Sequence, residues 1–221
     1  MKHPTLLADP GWHEITWSHK GMGRSAAAHY DTMSLEAIKK LPVADLVAPH
    51  GWLFLWTTWP MKQLAEEVAE AWGYVYSSDA FVWVKITKAA AKKGSIDLTK
   101  VNPRKGGGNP DLRMCGGHTS RKCTELCMLF KRGKGTPLKS KAVRDVIFAP
   151  LNHKFPHKKP DEQYDKIEAL CDGPYLELFA RFPRQGWDTA FSNQIKTGPT
   201  PRRWKSNSYP GDPASTSPSQ R

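Results

Sequence analysis

The sequence predicts an α/β protein, a sheet whose strands are joined by crossover helices. Residues 51–57 (GWLFLWT) and 80–86 (AFVWVKI) are continuous apolar runs of strand length, as in strands covered on both faces. Between them Met61, Leu64, Ala65, Val68, Ala69 and Trp72 fall on one helical face, and Gly73 is a natural stop. Strand and helix signals alternate along the chain, the pattern of a crossover-connected sheet. The 221 residues are enough for one core, and nine Trp with eight Phe exclude a wholly disordered chain.

Taken in order, residues 5–9 (TLLAD) read as a short buried strand ending at Pro10-Gly11, followed by a polar connection over 18–28. Ser34 is a candidate N-cap, and Leu35, Ile38, Leu41 and Leu46 follow with loosely helical spacing. After the strand at 80–86 the pattern breaks. Residues 87–117 hold few large apolar side chains and contain Lys92-Lys93, Arg104-Lys105 and three successive glycines. They read as a basic, mobile insertion without regular structure, uncommon unless functional. Strand character returns at 125–131 and 145–149. Pro160-Asp161-Glu162 opens a helix through Tyr164, Ile167 and Leu170, with acids in its first turn. Residues 175–182 (YLELFARF) read as the last strand. Residues 1–195 form one domain, and 196–221, rich in Pro, Ser, Arg and Gly, read as a disordered tail.

Charge and composition narrow the function. Between Lys85 and Asp145 stand 16 Lys/Arg against four Asp/Glu, which accounts for the whole net charge of +12. A balanced scaffold bearing one basic segment suits a polyanion such as nucleic acid; a solvated loop kept for solubility is the plainer alternative. No stretch approaches the ~20 apolar residues of a membrane span, residues 1–9 lack a signal-peptide core, and four Cys make no disulfide framework. A reducing cytoplasm is the expected compartment. Cys115, Cys123, Cys127 and His118 lack paired C-x2-C spacing, so no metal site is read. The glycine triplet has no following Lys-Ser/Thr and is not a P-loop.

One constellation points to chemistry. Asp9-Pro10-Gly11-Trp12 ends the first strand, and carboxyl ends of strands host ligands in open α/β sheets. The carboxylate and the Pro10 carbonyl are acceptors and Trp12 offers a stacking face, a set suited to a planar amine. By itself the tetrapeptide is also a common turn former.

The tetrapeptide resembles the Asp-Pro-Pro-Trp motif of amino methyltransferases. The resemblance continues in order through His29-Tyr30-Asp31-Thr32-Met33-Ser34, Leu53-Phe54-Leu55-Trp56, Ala71-Trp72-Gly73 and Phe81-Val82-Trp83-Val84-Lys85. It goes on through Thr124-Glu125-Leu126-Cys127, Arg132-Gly133-Lys134, Lys159-Pro160-Asp161-Glu162, Tyr175 to Arg181, Gly186-Trp187 and Asn193-Gln194. Over roughly residues 5–195 the chain resembles the MT-A family of S-adenosylmethionine-dependent N6-adenine methyltransferases, the small phage and bacterial members above all.

That resemblance implies a Rossmann-like methyltransferase fold, its sheet mainly parallel with one antiparallel strand and helices on both faces. It implies S-adenosylmethionine as cofactor and the N6 amino group of adenine in DNA as target. RNA as target, and a catalytically silent nucleic-acid-binding relative, are the alternatives. Asp9 and Pro10 would hold the target amine, with Trp12 against the base and Tyr30 near it. Asp9, Lys159, Glu177, Arg181, Asn193 and Gln194 would bind the cofactor. Lys92, Lys93, Arg104, Lys105, Arg121 and Lys122, in the basic segment, would contact phosphates. Three positions depart from the family pattern: Gly11 replaces its second Pro, Cys123 stands where Asn is frequent, and Phe182-Pro183-Arg184 lacks a His-Asn pair of eukaryotic members.

Overall fold

The computed structural model describes residues 2–11, 33–100, 108–117, 119–152, 154–155 and 157–192. Seven strands are present there: β1 (His3–Ala8), β2 (Val47–Thr57), β3 (Val75–Ile86), β4 (Thr124–Arg132), β5 (Val146–Pro150), β6 (Tyr175–Leu178) and β7 (Trp187–Ala190). They form one sheet in the order β5-β3-β4-β2-β1-β6-β7. β1 runs parallel to β2 and β6, β6 to β7, and β3 to β5. β4 alone runs antiparallel, between β2 and β3. The mainly parallel α/β sheet with one reversed strand is therefore present as expected.

Successive side chains of a strand point to opposite faces, which explains the continuous apolar runs. Leu6, Leu53, Leu55, Leu126 and Met128 enter one core with Ile38 of helix α1 (Leu35–Lys39) and Ala65, Val68 and Ala69 of helix α2 (Lys62–Ala71). Their neighbours Leu7, Phe54, Trp56 and Cys127 enter the other, with Phe81, Trp83, and Tyr164 and Ile167 of a helix over Glu162–Leu170. Both sheet faces are thus covered by helices. The Ser34 hydroxyl accepts from the Ala37 N–H and caps α1, as its side chain suggested.

The structure departs from the sequence reading in three places. Residues 87–117 are not structureless: helix α3 (Lys88–Lys93) starts beneath a Thr87 cap, runs through three alanines and stops at Gly94 with φ 72°. With it the helix at Glu162–Leu170 becomes α4. The strand expected over 175–182 ends at Leu178, because Phe179 takes φ 63°, outside extended conformation. It is not the last, since β7 adds an outer parallel strand. Among the described residues no helix is long and apolar enough to cross a membrane.

Candidate active site

The chain leaves β1 for β2 on one side and comes back through β6 on the other. Such a switch point opens a crevice at the carboxyl ends of the two strands, where ligands settle in α/β sheets. Asp9 follows β1 directly, Glu177 stands one residue from the end of β6, and Arg181 lies three beyond it. Lys85 is next to last in β3, and Glu125 is second in the reversed β4, which brings it to the same edge. Lys159 arrives from the segment leading into α4.

These side chains form a row of alternating charge. Asp9 Oδ1 accepts from Lys159 Nζ at 2.8 Å, and its Oδ2 accepts from Arg181 Nη2. Lys159 also faces Glu125 Oε2 at 3.4 Å, and Glu125 Oε1 accepts from Lys85 Nζ. The row therefore runs Lys85, Glu125, Lys159, Asp9, Arg181, with every side chain largely shielded from solvent. Trp56 supports it from below: its ring centroid lies 5.6 Å from Lys159 Nζ, while its indole N–H donates to Gln163 Oε1 at 2.6 Å.

Burial works against each charge here, and the neighbours decide the outcome. It pushes the Glu125 carboxyl up, yet Lys159 and Lys85 outweigh it and hold the group at about 2. Burial pushes the Lys159 ammonium down, and Asp9 with Glu125 overturns this and raises it above its ordinary value. Glu177 differs. Burial pushes it up to about 7, although the Tyr164 hydroxyl donating to Oε2 at 2.9 Å pulls the other way. Glu125 and Lys159 are thus held charged at neutral pH, whereas Glu177 is poised between states.

A cleft opens over this end of the sheet, lined by Asp9, Lys159, Tyr164, Glu177, Phe179 and Arg181 among others. Carboxylates, cations and aromatic faces in one crevice fit a ligand with an amino acid head, vicinal hydroxyls and a flat ring. Phe179, which lines the cleft, takes φ 63°, and Phe191, which packs near it just past β7, takes φ 53°, left-handed conformations costly for their type.

Of the residues singled out in the sequence, the structure brings Asp9, Lys159, Glu177 and Arg181 together in this cleft. Pro10 and Gly11 are buried behind Asp9. Lys92 and Lys93 are exposed on α3, and Arg121 and Lys122 are exposed just before β4. The N–H of Lys85 donates to the Cys123 carbonyl, and the Lys85 carbonyl accepts from Arg113. Those basic segments thus sit at the same edge as the cleft. Trp12, Tyr30, Arg104, Lys105, Asn193 and Gln194 lie outside the described residues, as does the tail. Among the described residues no His/Cys/Asp/Glu cluster could hold a metal ion. Sequence reasoning gave Glu125 no role. Its one signal was a carboxylate at the head of an apolar strand, where an unpaired charge would be costly.

A family model described as MT-A70 matches residues 4–192. A type II methyltransferase from Mycoplasma, M.MunI, is 28% identical over 205 residues, covering 85% of this chain and 76% of that protein. The human N(6)-adenine-specific methyltransferase METTL4 is 28% identical over 81% of this chain and 35% of its own length. An N(6)-adenosine-methyltransferase MT-A70-like protein from Drosophila melanogaster is 29% identical over 81% of this chain, which spans 24% of it.

Proposed function

Because this chain belongs to the MT-A70 family, a family of Rossmann-like methyltransferases that generally use S-adenosylmethionine, we propose that it methylates the N6 amino group of adenine at specific sites in DNA. The observation that carries the proposal is Asp9 at the switch point, its carboxylate bracketed by Lys159 and Arg181. The Mycoplasma type II methyltransferase, matched over most of its length, favours DNA over RNA.

An adenine amino group is a poor nucleophile because its lone pair is shared with the ring. Two acceptors on its hydrogens favour the pyramidal form and turn the lone pair outward; Asp9 and the Pro10 carbonyl would be those acceptors. A carboxylate has about four lone-pair sites. Lys159 and Arg181 occupy one on each oxygen, so they fix the group's orientation without exhausting its capacity. That is preorganisation of a fixed acceptor in a shielded site.

S-adenosylmethionine supplies an electrophilic methyl group on a sulfonium. The described residues fit it by their donor set: Lys159 and Arg181 suit its carboxylate, Asp9 its ammonium, Glu177 the ribose hydroxyls, and Phe179 an apolar face. Asn193 and Gln194 would complete the adenosine side. A target in duplex DNA must leave the stack first, at a cost of a few kcal/mol, with Lys92, Lys93, Arg104, Lys105, Arg121 and Lys122 holding phosphates meanwhile.

Incubation with labelled S-adenosylmethionine and either DNA or RNA, then nucleoside analysis, tests the reading. N6-methyladenine in DNA is the expected product. Label in RNA alone would move the substrate to RNA, and cofactor binding without transfer to either would mark a silent relative.

A further inference from the structure

Trp59 takes no part in the chemistry above. It opens a 3-10 turn (Trp59–Met61) two residues beyond β2, at the edge of the sheet that carries Asp9. Large aromatic side chains are mostly covered, yet this one is 41% exposed. Its indole N–H donates to Thr124 Oγ1 at 2.9 Å. Thr124 opens β4, one residue ahead of Glu125, and Glu125 reaches Asp9 through Lys159. The bond satisfies the one polar group of the indole on the protein side and fixes the ring. What is left open to solvent is a flat apolar surface held still, and among the described residues no ring stacks on it.

The position of this surface says what it could take. Consecutive strand residues point to opposite faces, so Thr124 and Glu125 diverge at the head of β4. Glu125 belongs to the charge row on the α4 side. Thr124, with Leu126 and Met128, faces the α1–α2 side. The indole, bonded to Thr124, and the charge row that holds Asp9 are thus reached from opposite faces of the sheet, which leaves the indole for a second flat group. The same edge carries the exposed Arg113, Arg121 and Lys122, cations suited to the phosphates on either side of such a group.

We propose that Trp59 is a stacking platform for a nucleobase that flanks the target adenine in the bound strand. The inference rests on the nucleic-acid reading above. Every base offers a π face, so the platform adds affinity with little sequence preference, and its ordering cost is already met by the Thr124 bond.

Single-stranded DNA oligonucleotides carrying 5-iodouracil at successive positions, irradiated with the full chain and mapped by peptide mass spectrometry, test it without requiring turnover. Crosslinking to Trp59 is expected, retained in Trp59→Phe and lost in Trp59→Ala. Trp59→Ala should weaken oligonucleotide binding about 5- to 150-fold, one stacked base, with S-adenosylmethionine affinity and the salt slope unchanged. Thr124→Val, which frees the indole but keeps the ring, should give a smaller loss and carries the test if Trp59→Ala folds poorly. Oligonucleotide affinity within about twofold of wild type in both variants, with no crosslink at Trp59, would overturn the platform while leaving methylation untouched. A Trp59 crosslink in a chain that transfers no methyl group would support the platform and count against the catalytic reading.

Discussion

Glu177 is the residue whose chemistry is most sensitive to conditions. Ordinary carboxyls ionise near 4.3, and burial beside Leu7 on β1 moves this one to about 7. A folded-state value above the unfolded one means that the folded chain holds this proton more tightly. Ionising Glu177 therefore costs folding stability progressively as pH rises from the unfolded value to about 7. Its proposed use runs the other way. Ribose hydroxyls donate more strongly to an ionised carboxylate, so cofactor affinity should rise between about pH 6 and about pH 8. Glu177→Gln should flatten that rise and become the more stable form, relative to wild type, toward alkaline pH. Calorimetry of cofactor binding across this range checks it; a flat wild-type profile would remove Glu177 from the ribose. Glu125 sits at the other extreme, held at about 2 by Lys159 and Lys85, and contributes a fixed charge throughout the same range.

At the level of elements, β1 and β2 meet in a way that only one residue type allows. Their register slips between His3 and Thr5, and there Gly51 passes the backbone of β1. A Cβ on Gly51 would lie 2.1 Å from the Pro4 carbonyl oxygen, which is backbone and cannot turn aside. Gly51→Ala should lower stability by about 1–3 kcal/mol or more, the range for overpacking, measured by chemical denaturation; an unchanged midpoint would contradict the register. Strands such as β2 were legible because each is buried on both sides and so reads as an unbroken apolar run. β7 was not, since Trp187-Asp188-Thr189-Ala190 is four residues long and buries only its Trp. α3 was missed because it is made by its caps, Thr87 and Gly94, and buries only Ala90. In the site, Asp9 was readable from its turn and family pattern. Lys159 and Arg181 were readable as site residues from the same pattern, but their pairing with Asp9 was not, because they lie 150 and 172 residues away and meet it only once the sheet is assembled. Glu125 likewise acquires Lys85 and Lys159 only from distant chain.

Across the whole molecule, the basic residues of α3 and of the segments around Arg113 and Arg121 share the edge of the sheet that carries the cleft, whereas Lys131, Arg132 and Lys134 lie at the opposite end of β4. α3 begins just past the carboxyl end of β3, and the segments around Arg113 and Arg121 hang from Lys85 by backbone bonds. If this edge grips nucleic acid, replacing Lys92, Lys93, Arg121 and Lys122 by Gln should weaken binding to all sequences about equally. It should also flatten the log–log salt dependence by up to ~3–4 units on duplex DNA, about 0.9 per phosphate contact. Filter binding at several salt concentrations checks this; an unchanged slope would make these cations a solubility feature.

The proposed methylation depends above all on Asp9, steadied by two cations at the switch point, holding the amine that is methylated. Asp9→Ala is a blunt probe, because it would strand the shielded Lys159 and Arg181 and cost about 3–5 kcal/mol. Asp9→Asn keeps the shape and one acceptor oxygen but loses the charge. The most direct measurement is single-turnover formation of N6-methyladenine in DNA by wild type and Asp9→Asn, each first shown by calorimetry to bind S-adenosylmethionine. N6-methyladenine is expected from wild type, with a rate at least about a hundredfold lower from the variant, the loss typical of one preorganised electrostatic contact. An Asp9→Asn chain that methylates adenine at the wild-type rate would contradict this role of Asp9.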